Sequence, residues 1–269
     1  MNILQAIALG ILQGATEFIP VSSSGHLVLV PWLLGWGPPG LAFTVVVHLG
    51  TVLGVLAYFW REWWGMLKGV VTWASRREVT PDLRLLLLLI LGSIPAAVLG
   101  VLFKDFFEQL FETPLVAAIM LLVTAAVLVI GERVGRQERD MGSMTWVDSL
   151  VVGLAQALSI IPGLSRSGST ITGGRLRHLR REDAARFSFL LSTPVIVGAG
   201  LFQVLDLLDA GLSDAAVLAL AAGFVSAMLS SYLVIRWLLA FLRSRPITIF
   251  AIYCVIAGLF SLATVLIRG

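Results

Sequence analysis

The sequence predicts an all-α polytopic membrane protein with six transmembrane helices and two re-entrant helical hairpins, arranged as an inverted-topology repeat. Three observations lead there. Six apolar runs are long enough to cross a bilayer core of about 30 Å. Of 269 residues only 13% are charged while 58% are hydrophobic, and a soluble domain carries roughly twice that charged share. Finally, two polar, glycine-bearing stretches, Gln13 to His26 and Pro162 to Thr170, interrupt the apolar chain and echo one another. A β-barrel would show short alternating segments instead.

Taken in order, the opening MNILQAIALGILQGATEF lacks a basic n-region and a small-residue cleavage site, so it reads as part of the fold and not as a removable signal. A hairpin near 3–34 follows, broken at Pro20, which removes a donor and clashes with the preceding turn. Full spans fall at roughly 41–60, 83–103, 114–131, 184–205, 213–239 and 246–267. A second hairpin near 146–180 is broken at Pro162. The whole of 1–269 is one membrane domain, with 1–130 as the first repeat and 146–267 as the second.

Charge sets the sidedness. The segment 61–80 holds Arg61, Lys68, Arg76 and Arg77, and 132–146 holds Arg133, Arg136 and Arg139. The segment 174–186 holds Arg175, Arg177, Arg180, Arg181 and Arg186, and the connection after the fifth span holds Arg243 and Arg245. In contrast, 104–113 carries Lys104 against Asp105, Glu108 and Glu112, and 206–214 carries Asp206, Asp209 and Asp214. The positive-inside rule puts the first set in the cytoplasm and the second outside. Trp60, Trp63, Trp64 and Trp73 beside one basic segment read as interfacial anchors.

The bookkeeping then makes 1–40 begin and end outside and 146–183 begin and end inside. Both regions are therefore expected to re-enter, from opposite faces. An internal repeat agrees: Gly10, Gln13, Ser22, Ser24 and Gly25 recur 143 residues later (13 to 156, for example) as Gly153, Gln156, Ser165, Ser167 and Gly168. One residue further along, Phe43, Thr44 and Gly54 match Phe187, Ser188 and Gly198. Inverted repeats put their site at the midplane, where broken helices meet, so the two tips are expected to touch.

Ionisable groups at that depth are functional hypotheses by default, which singles out Glu17, His26 and Arg166. Arg166 offers a planar, always charged fork for phosphate oxygens. Gly25, Gly163 and Gly168 let backbone N–H groups approach an anion, and helices starting after each tip point positive ends at it. Ser22, Ser24, Ser165, Ser167 and Thr170 add hydroxyls, although Ser22 and Ser24 also suit satisfying broken-helix backbone. Either Ser23 or His26 can attack phosphorus, with the other, or Glu17, handling the proton. Glu17 can orient His26 or bind a divalent cation beside substrate phosphates. The set suits phosphoryl transfer to water on a substrate with a lipid tail, because that chemistry needs positioning and charge neutralisation above all.

At these residues the chain resembles the undecaprenyl pyrophosphate phosphatase family, also known for bacitracin resistance. The family's (Glu/Gln)xxxGlu element stands as Gln13-Gly-Ala-Thr-Glu17, running into PVSSSGHL, and its PGxSRSxxT element as Pro162 to Thr170. The FSFLLSTP stretch at 187–194 extends the likeness across nearly the whole chain. The resemblance implies hydrolysis of undecaprenyl pyrophosphate to undecaprenyl phosphate and inorganic phosphate, in the bacterial plasma membrane, with an outward-facing site and both termini outside. It implies Glu17, Ser23, His26 and Arg166 as the catalytic group. It also implies a divalent cation, Mg²⁺ or Ca²⁺, with Glu17 and Gln13 as ligands. Gln13 stands where many relatives carry Glu, which weakens a cation site built on two carboxylates. The assembly expected is compatible with a homodimer, and nothing suggests nucleic acid.

The competing functions are a transporter or lipid flippase, since inverted repeats with broken helices are common there, and two less fitting enzymes. One is the unrelated lipid phosphatase class that pairs Ser-Gly-His with Ser-Arg and a later His, which the residues after Arg166 lack. The other is a nucleotide hydrolase, for which no P-loop occurs. Outside the tips, His48 reads as a packing histidine making a helix–helix hydrogen bond, and His178 as a solvated loop residue. GSIPAAVLG at 92–100 and GFVSAMLSS at 223–231 read as close helix-packing surfaces, and the single Cys254 suggests no thiol chemistry.

Overall fold

A computed structural model describes residues 1–111, 113–208 and 214–268, without the side chains of 104, 105, 108, 111, 201–208, 214 and 215. The acidic connections expected at 104–113 and 206–214 thus lie mostly outside the described side chains. Helix starts follow from local chemistry. Asn2 forms a capping box with Gln5 at the head of α1 (Ile3–Phe18), and Thr145 forms one with Asp148 at the head of α8 (Trp146–Leu158). Thr80 caps α5 (Pro81–Leu102), whose first residue is a proline, pre-set for the opening turn. The other elements are α2 (Ser23–Leu33), α3 (Gly40–Tyr58), α4 (Trp60–Arg76), α6 (Lys104–Phe111) and α7 (Pro114–Val134). The second half continues with α9 (Arg166–Leu176), α10 (Arg181–Leu208), α11 (Asp214–Leu242) and α12 (Thr248–Arg268).

Among the described residues every regular element is a helix, in keeping with a polytopic α-helical membrane protein. Among the described residues, five stretches are long and apolar enough to cross a bilayer: Gly40–Tyr58, Pro81–Leu102, Pro114–Val134, Ala216–Leu242 and Thr248–Arg268. They match five of the six expected spans. The sixth, at 184–205, falls in α10, a single helix of 28 residues whose first turn carries Arg181, Glu182 and Asp183. By contrast α2 and α9 have 11 residues each, a rise of about 16 Å, roughly half a bilayer core.

The segment 61–80 departs from its reading as a connection. Residues 60–76 form α4, a helix with Trp60, Trp64, Leu67 and Val71 exposed along one side, while Met66 and Gly69 are buried towards α5. The helical period of those apolar residues overrides the charges that flagged a loop.

The small-residue surfaces pack as expected, and they do so symmetrically. A Cβ on Gly10 would come within 3.0 Å of Gly223 Cα, and one on Gly153 within 2.9 Å of Gly92 Cα. Hence α1 packs along α11, and its repeat mate α8 along α5. No side chain could separate these backbones, so the contacts depend on glycine in both partners.

All four basic segments meet at one end of the bundle. Arg186 pairs with Glu62, Arg243 with Glu182, Arg181 with Glu132, and Arg139 and Arg177 both with Asp148. Arg175 is fully buried, donating to the carbonyls of Leu179 and Gly135, each at 2.6 Å. These arginines therefore hold the connections together and are not merely solvated. His178 also differs from expectation: it is half-buried at φ 63°, and its carbonyl accepts the N–H groups of Glu138 and Arg139.

Candidate active site

The two polar stretches fold as the same device twice. In the first, α1 ends at Phe18, the chain turns through Pro20, and Ser22 caps α2 by accepting the N–H of Gly25 at 3.2 Å. In the second, α8 ends at Leu158, the chain turns through Pro162 and Gly163, and Ser165 caps α9 by accepting the N–H of Gly168 at 3.0 Å. Ser22 sits at φ 71°, a left-handed conformation costly for a residue with a Cβ, and so one that the surroundings must enforce. Gly163, at φ 90°, avoids that cost, and its backbone is so close to Ala117 and Met120 that no side chain fits.

The tips touch. The N–H of Gly163 points at Ser24 Oγ at 3.4 Å, Ser167 Oγ donates to the Ile19 carbonyl at 3.3 Å, and a Cβ on Gly25 would stand 3.0 Å from Gly163 Cα. Ser23 and Arg166 follow their caps directly, so each is the first residue of its helix. Both reach Glu17, which lies in the last turn of α1. Ser23 Oγ donates to Glu17 Oε2 at 2.6 Å, and an Arg166 Nη donates to Glu17 Oε1 at 2.8 Å. Gln13, one turn back on α1, donates to Oε2 at 2.9 Å. Around this buried carboxylate Ser23, Ser24 and Arg166 are only half-buried, whereas Ser22, Gly25, Gly163, Ser165, Ser167 and Thr170 are buried. The first set is thus open to a ligand, and the second set packs the tips together.

The buried hydroxyls are committed. Ser22 and Ser165 act as caps, and Thr170 bonds Ser188 Oγ at 2.6 Å and the Arg166 carbonyl at 2.8 Å. Arg166 is steadied by the Ser188 carbonyl at 3.2 Å, while its Nε is buried without a partner among the described residues. Thr124 of α7 stitches the second tip, donating to the Gly163 carbonyl at 3.0 Å and accepting the N–H of Ser165 at 2.9 Å.

Two histidines depart from the sequence reading. His26 is not oriented by Glu17: its Nδ1 faces the Ser22 carbonyl and its Nε2 the hydroxyl of Tyr253, each at 2.7 Å. His48, read as a packing residue, instead lies in the site, with Nδ1 on the Thr44 carbonyl at 2.7 Å and Nε2 3.7 Å from Glu17 Oε2. His48, Tyr253, Thr124 and Ser188 are the residues sequence reasoning missed. A signal existed for His48, an ionisable side chain on a spanning helix. For Ser188 the signal was its place in the repeat opposite Thr44.

The expected divalent cation was tested against the donors present. Glu17 is the one carboxylate at the tips among the described residues, both its oxygens accept from protein donors, and a guanidinium stands 2.8 Å away. Gln13 adds a single unpartnered oxygen, Oε1, and no group of three or more His, Cys, Asp or Glu occurs among the described residues. Hard cations take six or more oxygens, carboxylates foremost. This donor set does not fit a cation held by the protein alone.

The comparisons with known proteins agree along the whole chain. A profile of the family described as bacitracin resistance protein BacA matches residues 6–260. A protein named undecaprenyl-diphosphatase from Nostoc sp. is 46% identical over 263 residues, covering 96% of this chain and 82% of that one. One so named from Pelotomaculum thermopropionicum is 44% identical over 259 residues, covering 96% and 95%. Another from Desulforudis audaxviator is 43% identical over 269 residues, end to end in both. With this coverage, and with its two tips built around Glu17, the chain belongs to the bacitracin resistance protein BacA family.

Proposed function

We propose that this protein hydrolyses undecaprenyl pyrophosphate to undecaprenyl phosphate and inorganic phosphate, returning the lipid carrier for cell-wall synthesis. One observation carries the reading: the half-buried Ser23 and Arg166, first residues of two facing short helices, both bind the buried Glu17. Diphosphate oxygens meet the half-buried guanidinium of Arg166, with the N-terminal ends of α2 and α9 adding positive potential. Ser23 Oγ attacks the terminal phosphorus as the bridging P–O bond breaks, undecaprenyl phosphate leaves, and the Ser23 proton passes to Glu17. A carboxylate held by a guanidinium is a weak base, but phosphoryl transfer asks mainly that the nucleophile be aimed and charge be neutralised. Water then cleaves the phosphoserine and inorganic phosphate departs, with His26 handling the proton. No step above relies on a divalent cation.

In this reading α1–α2 and α8–α9 are re-entrant hairpins entering from opposite leaflets of the bacterial plasma membrane. Six helices, α3, α5, α7, α10, α11 and α12, span it. The two repeats are inverted, and the site and both termini face outside. Support comes from the half-bilayer length of α2 and α9, the mirrored glycine contacts of α1 and α8, and the gathering of basic segments at one end. Arg268 at the end of α12 reaches the Trp32 carbonyl at the end of α2, so the first hairpin opens on the side of the C-terminus.

The test is phosphate release from a long-chain prenyl diphosphate by purified protein in detergent, with and without chelator. Steady release is expected. No release, together with counterflow of the lipid in vesicles, would make the protein a carrier instead.

A further inference from the structure

His26 is 5% exposed and both ring nitrogens are engaged. A carbonyl only accepts, so the 2.7 Å approach of the Ser22 carbonyl puts the proton of the neutral ring on Nδ1. Nε2 then offers a lone pair, and the Tyr253 hydroxyl, 2.7 Å away, donates to it. When His26 gains a second proton the polarity reverses: Nε2–H donates and the phenol oxygen accepts. A hydroxyl serves both states, which a pure donor or a pure acceptor cannot do. The phenol ring also lies along the imidazole, with centroids 5.7 Å apart and planes 14° from parallel. Tyr253 comes from α12 and is 45% exposed, so it stands between the buried ring and the exterior. Its neighbour Cys254 faces the Pro20 carbonyl at 3.9 Å, so α12 touches the first tip at two successive residues.

We propose that Tyr253 is a catalytic relay residue through which His26 exchanges protons during turnover. The proposal rests on the phosphatase reading and deepens it. Because the phenol caps Nε2, a proton reaches His26 in a paired transfer. The water attacking the phosphoserine gives its proton to the phenol oxygen as the phenol proton moves to Nε2. The water oxygen bonds phosphorus, the P–O bond to Ser23 breaks, and the departing Ser23 oxygen takes back the proton that Glu17 held. The reverse transfer then carries the His26 proton out through the phenol to solvent. Tyr253 ends each cycle unchanged.

The experiment combines kinetics with ¹⁵N NMR of histidine-labelled protein, practicable with three histidines, His26 being assigned by the signals that vanish in His26→Asn. In the wild type, His26 should show a protonated Nδ1 and a hydrogen-bonded, unprotonated Nε2. Tyr253→Phe keeps the ring and removes the hydroxyl. It should move the Nε2 signal towards a free imine and lower kcat roughly a hundredfold, with KM within about twofold. The opposite tautomer in the wild type, or an unmoved Nε2 signal in the variant, overturns the proposal. So does a moved signal with normal kcat. If Tyr253→Phe does not fold, the wild-type nitrogen signals decide. Absence of phosphate release by the wild type sinks the phosphatase reading instead, and the signals still show whether Tyr253 holds the ring.

Discussion

Ser23 and Arg166 hold equivalent places on two short helices 143 residues apart (23 to 166), and both close on Glu17, at 2.6 Å and 2.8 Å. The repeat has thus put a hydroxyl at one first-turn position and a guanidinium at the other, with one carboxylate between them. In the proposed reaction these become a nucleophile and a charge clamp built on one repeated backbone device. Their separation is fixed by contact of the tips and not by either helix alone.

Arg166 should be the most sensitive residue. Its Nη groups hold Glu17 and the Ser188 carbonyl, which fixes the half-buried guanidinium where the two tips meet. Arg166→Lys keeps the charge but neither the fork nor the aim. Removing one preorganised donor to a developing charge costs about 2.7–4 kcal/mol, or roughly 10²–10³ in kcat. We expect Arg166→Lys to lose at least that much and Arg166→Ala more. Near-normal turnover of either variant would take Arg166 out of the transition state.

Ser23→Ala and Glu17→Gln should separate attack from aim. Ser23→Ala removes the proposed nucleophile, and no phosphorylated protein should form from a labelled prenyl diphosphate. Glu17→Gln keeps a hydrogen-bond acceptor near Ser23 but withdraws the charge that holds Arg166, so it should lower kcat strongly. A fully active Ser23→Ala, or a phosphoryl group trapped on His26, would move the nucleophile to His26.

How much of this was legible in the chain depends on the range of the forces. The tips stood out because Gln13 to His26 and Pro162 to Thr170 place polar groups and glycines where lipid-facing chain should be apolar. Their caps are local chemistry, readable from a Ser three residues before a Gly. The pairing of Gly10 with Gly223 left its mark in small residues on both partners. Helix α4 was obscured because its basic residues outweighed the spacing of Trp60, Trp64, Leu67 and Val71. The contact of His26 with Tyr253 crosses 227 positions and has no echo in the repeat, so only packing of α12 could reveal it. The committed hydroxyl of Thr170 was likewise invisible, since a sequence shows donors but not whether the backbone has already used them.

His48 gives a sharper test of what the fold adds. Its Nε2 stands 3.7 Å from Glu17 Oε2, beside the Ser23 hydroxyl that shares that oxygen. Removing it loosens one side of the carboxylate without touching Arg166. His48→Ala should reduce kcat about tenfold, which is ~1.4 kcal/mol. His48→Gln retains a polar group and should stay within about threefold. Wild-type kinetics for His48→Ala would return His48 to a packing role.

Asp148 should govern stability and leave chemistry alone. It is buried at the mouth of the second hairpin, where it accepts from Arg139 at 2.7 Å and 3.1 Å, from Arg177 at 2.5 Å, and from Thr145. Burial by itself would push its carboxyl up. The hydrogen bonds from Arg139, Arg177 and Thr145 outweigh it and hold the carboxyl well below the usual carboxylate range. Breaking a fully buried pair costs about 3–5 kcal/mol. Both arginines are partly solvated, at 27% and 40% exposure, so Asp148→Asn should cost less, about 1–3 kcal/mol. The sign of the pH effect follows from the depressed value. The stabilisation is complete above the unfolded carboxyl's pKa of about 3.9 and is lost as pH falls from there towards the folded value. Thermal melts in detergent should therefore separate wild type from Asp148→Asn by a constant gap from pH 7 to about pH 5. Below about pH 4 that gap should narrow. A gap that widens on acidification would mean that Asp148 is protonated in the folded protein and that the two arginines are held by other groups.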